Sequence, residues 1–113
     1  MKKKLNYCPL ALTMEYIGGK WKPLILFHLI GSPKRSGELQ KSICGISNKV
    51  FTESIREMEY SGLVNRKVFP SVPPKVEYSL TELGNSLIPI LKAMDDWGKT
   101  FPPESHSDNE KNE

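Results

Sequence analysis

Apolar and polar positions along the chain alternate first with a helical period, then with a strand period, then helically again. After Pro9, Leu10, Met14 and Ile17 recur on one side, predicting a helix over about Pro9 to Ile17 that Gly18-Gly19 ends. Trp21 to Ile30 is apolar nearly all round, with Leu24, Ile25, Leu26, Phe27, Leu29 and Ile30, which predicts a buried central helix. Pro23 is tolerated there because it falls in the first turn, and His28 reads as a packed core histidine rather than a ligand.

Gly31-Ser32-Pro33 turns the chain and Lys34-Arg35 leads into the stretch that organises it, Arg35 to Leu63. A short helix is expected from about Gly37 to Ser42, capped by Ser36, with Glu38 in its first turn. Cys44-Gly45-Ile46 makes the turn, Ser47 caps a second helix from Asn48 to about Ser61, and Gly62 stops it. Phe51, Ile55 and Met58 lie on the inward side of that helix; Asn48, Lys49, Thr52, Glu53 and Arg56 lie outward. Val50 occupies the position where a capping box has Glu, so first-turn N–H groups remain available to a phosphate. This is the layout of a helix-turn-helix whose second helix enters a major groove, although two helices around a glycine turn also occur in domains that bind no DNA.

Two extended runs follow, Leu63 to Phe69 and Lys75 to Leu80. The first places Val64 and Val68 beside Arg66; the second alternates strictly, with Val76, Tyr78 and Leu80 inward. Pro70-Ser71-Val72-Pro73-Pro74 joins them in a stiff loop, so the pair forms a wing with Arg66, Lys67 and Lys75 at its base and tip. A last helix is expected from Thr81-Glu82 to near Phe101, bent at Pro89 and weakened by Gly84. Its Leu83, Leu87, Ile90, Met94, Trp97 and Phe101 form a narrow seam of the kind that packs along another helix, and with Leu10 and Met14 it is assigned to a homodimer interface.

The 113 residues make one domain. The net charge of +3 decides little, but its distribution is uneven: through Leu80 there are 13 basic and 6 acidic residues, and from Thr81 onward 3 basic and 7 acidic. Residues 1–6 read as a flexible basic arm, 7–101 as a winged helix-turn-helix with dimerisation helices, and 102–113 as a disordered acidic tail. The Met1-to-Leu5 stretch resembles a secretory start, but Asn6, Pro9 and Glu15 interrupt the apolar run, no later stretch is long enough to span a membrane, and the chain is read as cytoplasmic. Cys8 and Cys44 are too few for a disulfide framework and lack ligand spacing with His28 and His106, so no metal or cofactor is proposed. No catalytic triad, phosphate loop or useful carboxylate pair is present, which argues against an enzyme.

The runs CPLALTMEYIGGKWKPLILFHL, RSGELQKSICGIS and VFPSVPPKVEYSLTELG resemble the HxlR-type winged helix-turn-helix regulators, relatives of the MarR group, over Cys8 to Gly98. The resemblance implies an α+β, mainly helical fold in a dimeric transcription regulator of bacteria or archaea, joined through its first and last helices and bound to a pseudo-palindromic double-stranded operator. Carried over, Ser36, Ser47, Asn48, Lys49 and Thr52 belong to the DNA-facing set, with Asn48 suited to adenine, Lys49 to guanine and Arg56 to phosphate. Lys75 stands where the family usually has a basic wing residue. Some members sense oxidants or electrophiles through an N-terminal thiol, and Cys8 stands there, at a helix start beside Lys2, Lys3 and Lys4; Cys44 of a second subunit is a candidate partner. Both cysteines read equally as small apolar fillers, with a small-molecule effector in place of oxidants. A protein–protein adaptor that binds no DNA is the alternative of a different class.

Overall fold

A computed structural model describes residues 7–103; the basic arm and residues 104–113, which include His106, lie outside the described residues. The elements follow in the order α1 (Pro9–Ile17), α2 (Trp21–His28), β1 (Lys34–Arg35), α3 (Ser36–Lys41), α4 (Asn48–Tyr60), β2 (Val64–Phe69), β3 (Lys75–Leu80), α5 (Glu82–Asn85) and α6 (Ile88–Gly98). Three antiparallel strands in the order β1-β3-β2 form the sheet, and the result is a winged helix-turn-helix with flanking helices.

The core is built from Ile25, Leu26 and Leu29 around α2, Leu39, Ile43 and Ile46 around α3 and its turn, Phe51, Ile55 and Met58 of α4, and Leu63, Val64, Tyr78 and Leu91. Among the described residues no polar or charged residue is buried in it. His28 is only half-buried, so it is not a core histidine: its ring meets Phe27 edge-on, and its carbonyl accepts a 3.0 Å hydrogen bond from Lys34 Nζ.

Strand β1 is absent from the sequence reading, which took Lys34-Arg35 as a lead-in. Two residues show no alternation, and the strand exists because Lys34 pairs with Tyr78 and Arg35 with Glu77 across β3. Ser36 does not cap α3; it is already inside the helix, Arg35 is the cap residue, and the Glu38 carboxylate reaches back to accept from the Arg35 N–H at 3.4 Å. Val68 faces outward to solvent, since the distal half of β2 extends beyond the core.

The expected long terminal helix is two helices. Pro89 lies in the first turn of α6 instead of bending a continuous helix, because its ring lacks an N–H and suits that position. Thr81 caps α5, accepting from the Gly84 N–H at 3.0 Å and donating to the Gly62 carbonyl at 2.6 Å. Gly84 is a contact point, not a weakness: a Cβ there would run into the Leu63 carbonyl oxygen. Leu87 falls in the break and packs half-buried on the core, while Leu91 makes the buried contact of α6.

Candidate nucleic-acid interface

Helix α4 is held at both ends and on one side. Ser47 Oγ accepts from the Val50 N–H at 3.1 Å. At the far end Gly62 adopts φ +87°, and the Leu63 and Gly62 N–H groups bond the Met58 and Glu59 carbonyls at 2.9 and 3.2 Å, the paired bonds of a Schellman stop. Lys22 of α2 reaches Glu57 at 2.8 Å, and the Phe51 ring meets Tyr78 of β3 edge-on at 6.5 Å, so the helix is fixed against both α2 and the wing. With Phe51, Ile55 and Met58 inward, Lys49, Glu53, Arg56 and Tyr60 stand most nearly opposite the core at about 100° per residue. Asn48 and Lys49 are exposed at the helix start, and Thr52 is half-buried on its flank.

Strand alternation divides the wing's cations. Arg66 pairs with Tyr78 and shares the sheet face that α4 covers through Phe51. Lys67, Lys75 and Arg35 occupy the opposite face around Glu77, which is registered against both Lys67 and Arg35. The Lys67 ammonium lies 5.0 Å from the centre of the Phe69 ring. An open cleft of about 1040 Å³ separates the start of α3 from the wing loop, and Ser36, Lys75, Arg35 and Lys41 line it. The structure thus brings Ser36 and Lys75 to one cleft and leaves Arg66 on the other side of the sheet. Arg35 and Lys41 were missing from the sequence-derived set; cross-strand pairing, which brings Arg35 beside the wing, is not visible in local spacing.

Apolar side chains are also exposed elsewhere: Leu10 and Met14 of α1 and Ile90, Met94 and Trp97 of α6 all face solvent, Leu10 and Trp97 at 69% exposure. Phe101 is exposed as well, with its ring 5.0 Å from that of Trp97. On α6, Ile90, Met94 and Trp97 lie about a quarter turn from Leu91, on its exposed side. Beside it the Asp95 carboxylate hydrogen-bonds Lys99 at 3.1 Å and, with its charge and that of Asp96, holds the ammonium above its usual pKa. Cys8, the cap residue of α1, and Cys44, in the turn before α4, are both free and exposed.

Comparison with known proteins places this geometry. Residues 16–106 match the family described as HxlR-like helix-turn-helix. The chain belongs to the HxlR-like helix-turn-helix family. It is 48% identical over 103 residues to the uncharacterized HTH-type transcriptional regulator YkvN of Bacillus subtilis strain 168, covering 91% of this chain and 87% of that one. Among solved structures, the redox regulator HypR in its oxidized form aligns with a TM-score of 0.80 at 43% identity, over 84% of this chain and 98% of its own. The reduced form of the transcriptional regulator YodB from B. subtilis aligns with a TM-score of 0.70 at 34% identity, over 87% and 97%. The HxlR-like chain is therefore a transcriptional regulator of the helix-turn-helix class and not an enzyme, and among its described residues no helix is long and apolar enough to cross a membrane.

Proposed function

We propose that this HxlR-like regulator binds a pseudo-palindromic DNA operator as a homodimer and releases or rearranges on it when its thiols are oxidised. The observation that carries the DNA reading is the outward face of α4, polar along its length, with Asn48 and Lys49 exposed at its positive end, where a phosphate is favoured. Ser47, Asn48, Lys49 and Thr52 meet base edges, Arg56 meets phosphate, and Arg66, Lys67 and Lys75 of the wing hold the flanking backbone. Ser36, with Arg35 and Lys41, borders the cleft into which that backbone fits. The dimer forms through Leu10 and Met14 of α1 and Ile90, Met94, Trp97 and Phe101 at the end of the described chain, large apolar side chains that all stand exposed. Duplex binding by the purified protein in a gel shift, with one dimer per two half-sites, is the expected result; no retardation of any duplex at low salt would favour the adaptor reading.

For the thiols, Cys8 of one subunit and Cys44 of the other are the pair, supported by the exposure of both and by the redox regulator among the structural relatives. Two thiols give up two electrons and two protons to hydrogen peroxide, which leaves as two waters, and one S–S bond forms between subunits. Non-reducing electrophoresis after peroxide treatment is expected to show a dimer-sized band that reductant removes and that Cys8→Ser or Cys44→Ser abolishes. If wild-type protein stays monomer-sized with both thiols titratable, a small-molecule effector replaces the oxidant.

A further inference from the structure

Glu53 occupies the middle of the outward stripe of α4, between Lys49 and Arg56. Its carboxylate lies 3.7 Å from the Lys49 ammonium, and both side chains are largely exposed, 59% and 83%. An exposed pair of this kind adds little to helix stability. On a surface that meets phosphates, a central carboxylate also repels every non-specific duplex. Neither helix stability nor backbone binding therefore accounts for it.

The chemistry of base edges does. In the major groove a carboxylate accepts from the N4 amino group of cytosine, as a lysine donates to O6 and N7 of guanine. Four helical residues advance about 6 Å, a little under two base-pair steps of roughly 3.4 Å, so the two side chains reach pairs about two steps apart when α4 lies along the groove. We propose that Glu53 is a specificity-determining residue: its carboxylate accepts from cytosine N4 in each half-site, about two steps from a G·C pair read by Lys49. On a matching site the carboxylate exchanges its ion pair with Lys49 for the base contact. Where thymine replaces cytosine it faces the O4 acceptor instead, and its charge is left without a donor. The same group thus recognises the right sequence and rejects the wrong one. This inference rests on the DNA-binding reading above.

The test is selection from a randomised duplex library by the full chain, followed by titration of the selected duplex with each position substituted. Wild type is to be compared with Glu53→Gln, Glu53→Ala, Lys49→Ala and the Lys49→Ala/Glu53→Gln double variant. Wild type is expected to enrich a cytosine in each half-site. Glu53→Gln should shift that position from cytosine toward adenine, which glutamine reads, by about tenfold or more, and Glu53→Ala should only relax it. Both should bind unselected duplex several-fold more tightly at low salt. The shift should persist without Lys49. Unchanged base preference in both Glu53 variants overturns the inference while leaving DNA binding intact, as does a shift that disappears in the Lys49→Ala background, since Glu53 would then only tether Lys49. A wild-type protein that enriches no sequence overturns the DNA reading and the inference with it. Melting curves of the exposed-site variants confirm that each is folded.

Discussion

Replacing Ser47 separates what the start of α4 does for the fold from what it does for DNA. Its hydroxyl accepts from the Val50 N–H at 3.1 Å, and the first turn holds no acidic residue to share the task. Ser47→Ala removes that acceptor and costs about 1 kcal/mol, while Ser47→Gly costs a few tenths. Because α4 carries Phe51, Ile55 and Met58 into the core, the loss is felt by the whole domain and lowers Tm by about 4–8 °C. Ser47→Asp keeps the acceptor and adds a negative charge at the positive end of the helix, so Tm is held or rises. That same charge faces the phosphate proposed to lie there. At about 4 Å the repulsion is roughly 1 kcal/mol in water and about 4 kcal/mol near a protein surface, so operator affinity falls at least about fivefold. Thermal circular dichroism at one fixed protomer concentration and gel-shift titration give the two readouts. An alanine variant that melts with wild type would refute the cap, and an aspartate variant that binds DNA as wild type does would refute the phosphate at the helix start.

Gly84→Ala pits about 1 kcal/mol of helix propensity against a Cβ pressed into the Leu63 carbonyl, an overpacking cost of about 1–3 kcal/mol that a backbone atom cannot relieve; Tm is expected to fall, and a rise would refute the close approach. Trp97→Glu is expected to give a folded monomer by light scattering, with operator affinity down about a hundredfold or more through loss of bivalent binding; a persisting dimer removes the α1–α6 stripe as the interface. Arg66→Ala and Lys75→Ala are each expected to weaken binding to all sequences alike and to reduce the slope of log K against log salt by about one, measured by titration from low to moderate salt.

The helix-turn-helix was legible because its signals are local: a cap serine, an amphipathic period and a stop glycine lie within sixteen residues of one another, from Ser47 to Gly62. What escaped was decided between distant residues. Lys34-Arg35 becomes a strand only by meeting Tyr78 and Glu77, and this pairing carries Arg35 to the wing. Gly84 reads as a helix breaker until the Leu63 carbonyl is seen against it. The heptad-like spacing from Leu83 to Phe101 runs across two helices and past the end of the second, because spacing alone does not reveal that Pro89 lies in the first turn of a new one. Glu53 stands on the outward face in sequence and structure alike; its proposed role is not marked by charge, since cations signal phosphate binding while base recognition also uses acceptors.

An adduct on Cys8 and one on Cys44 are expected to act on the proposed DNA binding by different routes. Helix α2 packs against both α4 and α6, with Lys22 on Glu57 on one side and the buried Leu91 on the other. A close-packed interior of this kind moves as a unit, so a change at the proposed α1–α6 interface displaces α4 together with its subunit and leaves its own shape intact. An adduct on Cys8, at the start of α1, should therefore spoil the spacing of two recognition helices, which a two-fold operator sets at about 34–36 Å or multiples of it. Binding to a full operator should fall while binding to a single half-site holds. Cys44 lies in the turn leading into Ser47, so an adduct there should disturb the start of α4 and weaken both duplexes together. Alkylating Cys44→Ser and Cys8→Ser proteins in turn, and titrating each with full and half operators, distinguishes the two routes. Equal losses on both duplexes for the Cys8 adduct would show that the two surfaces are not joined as a rigid body.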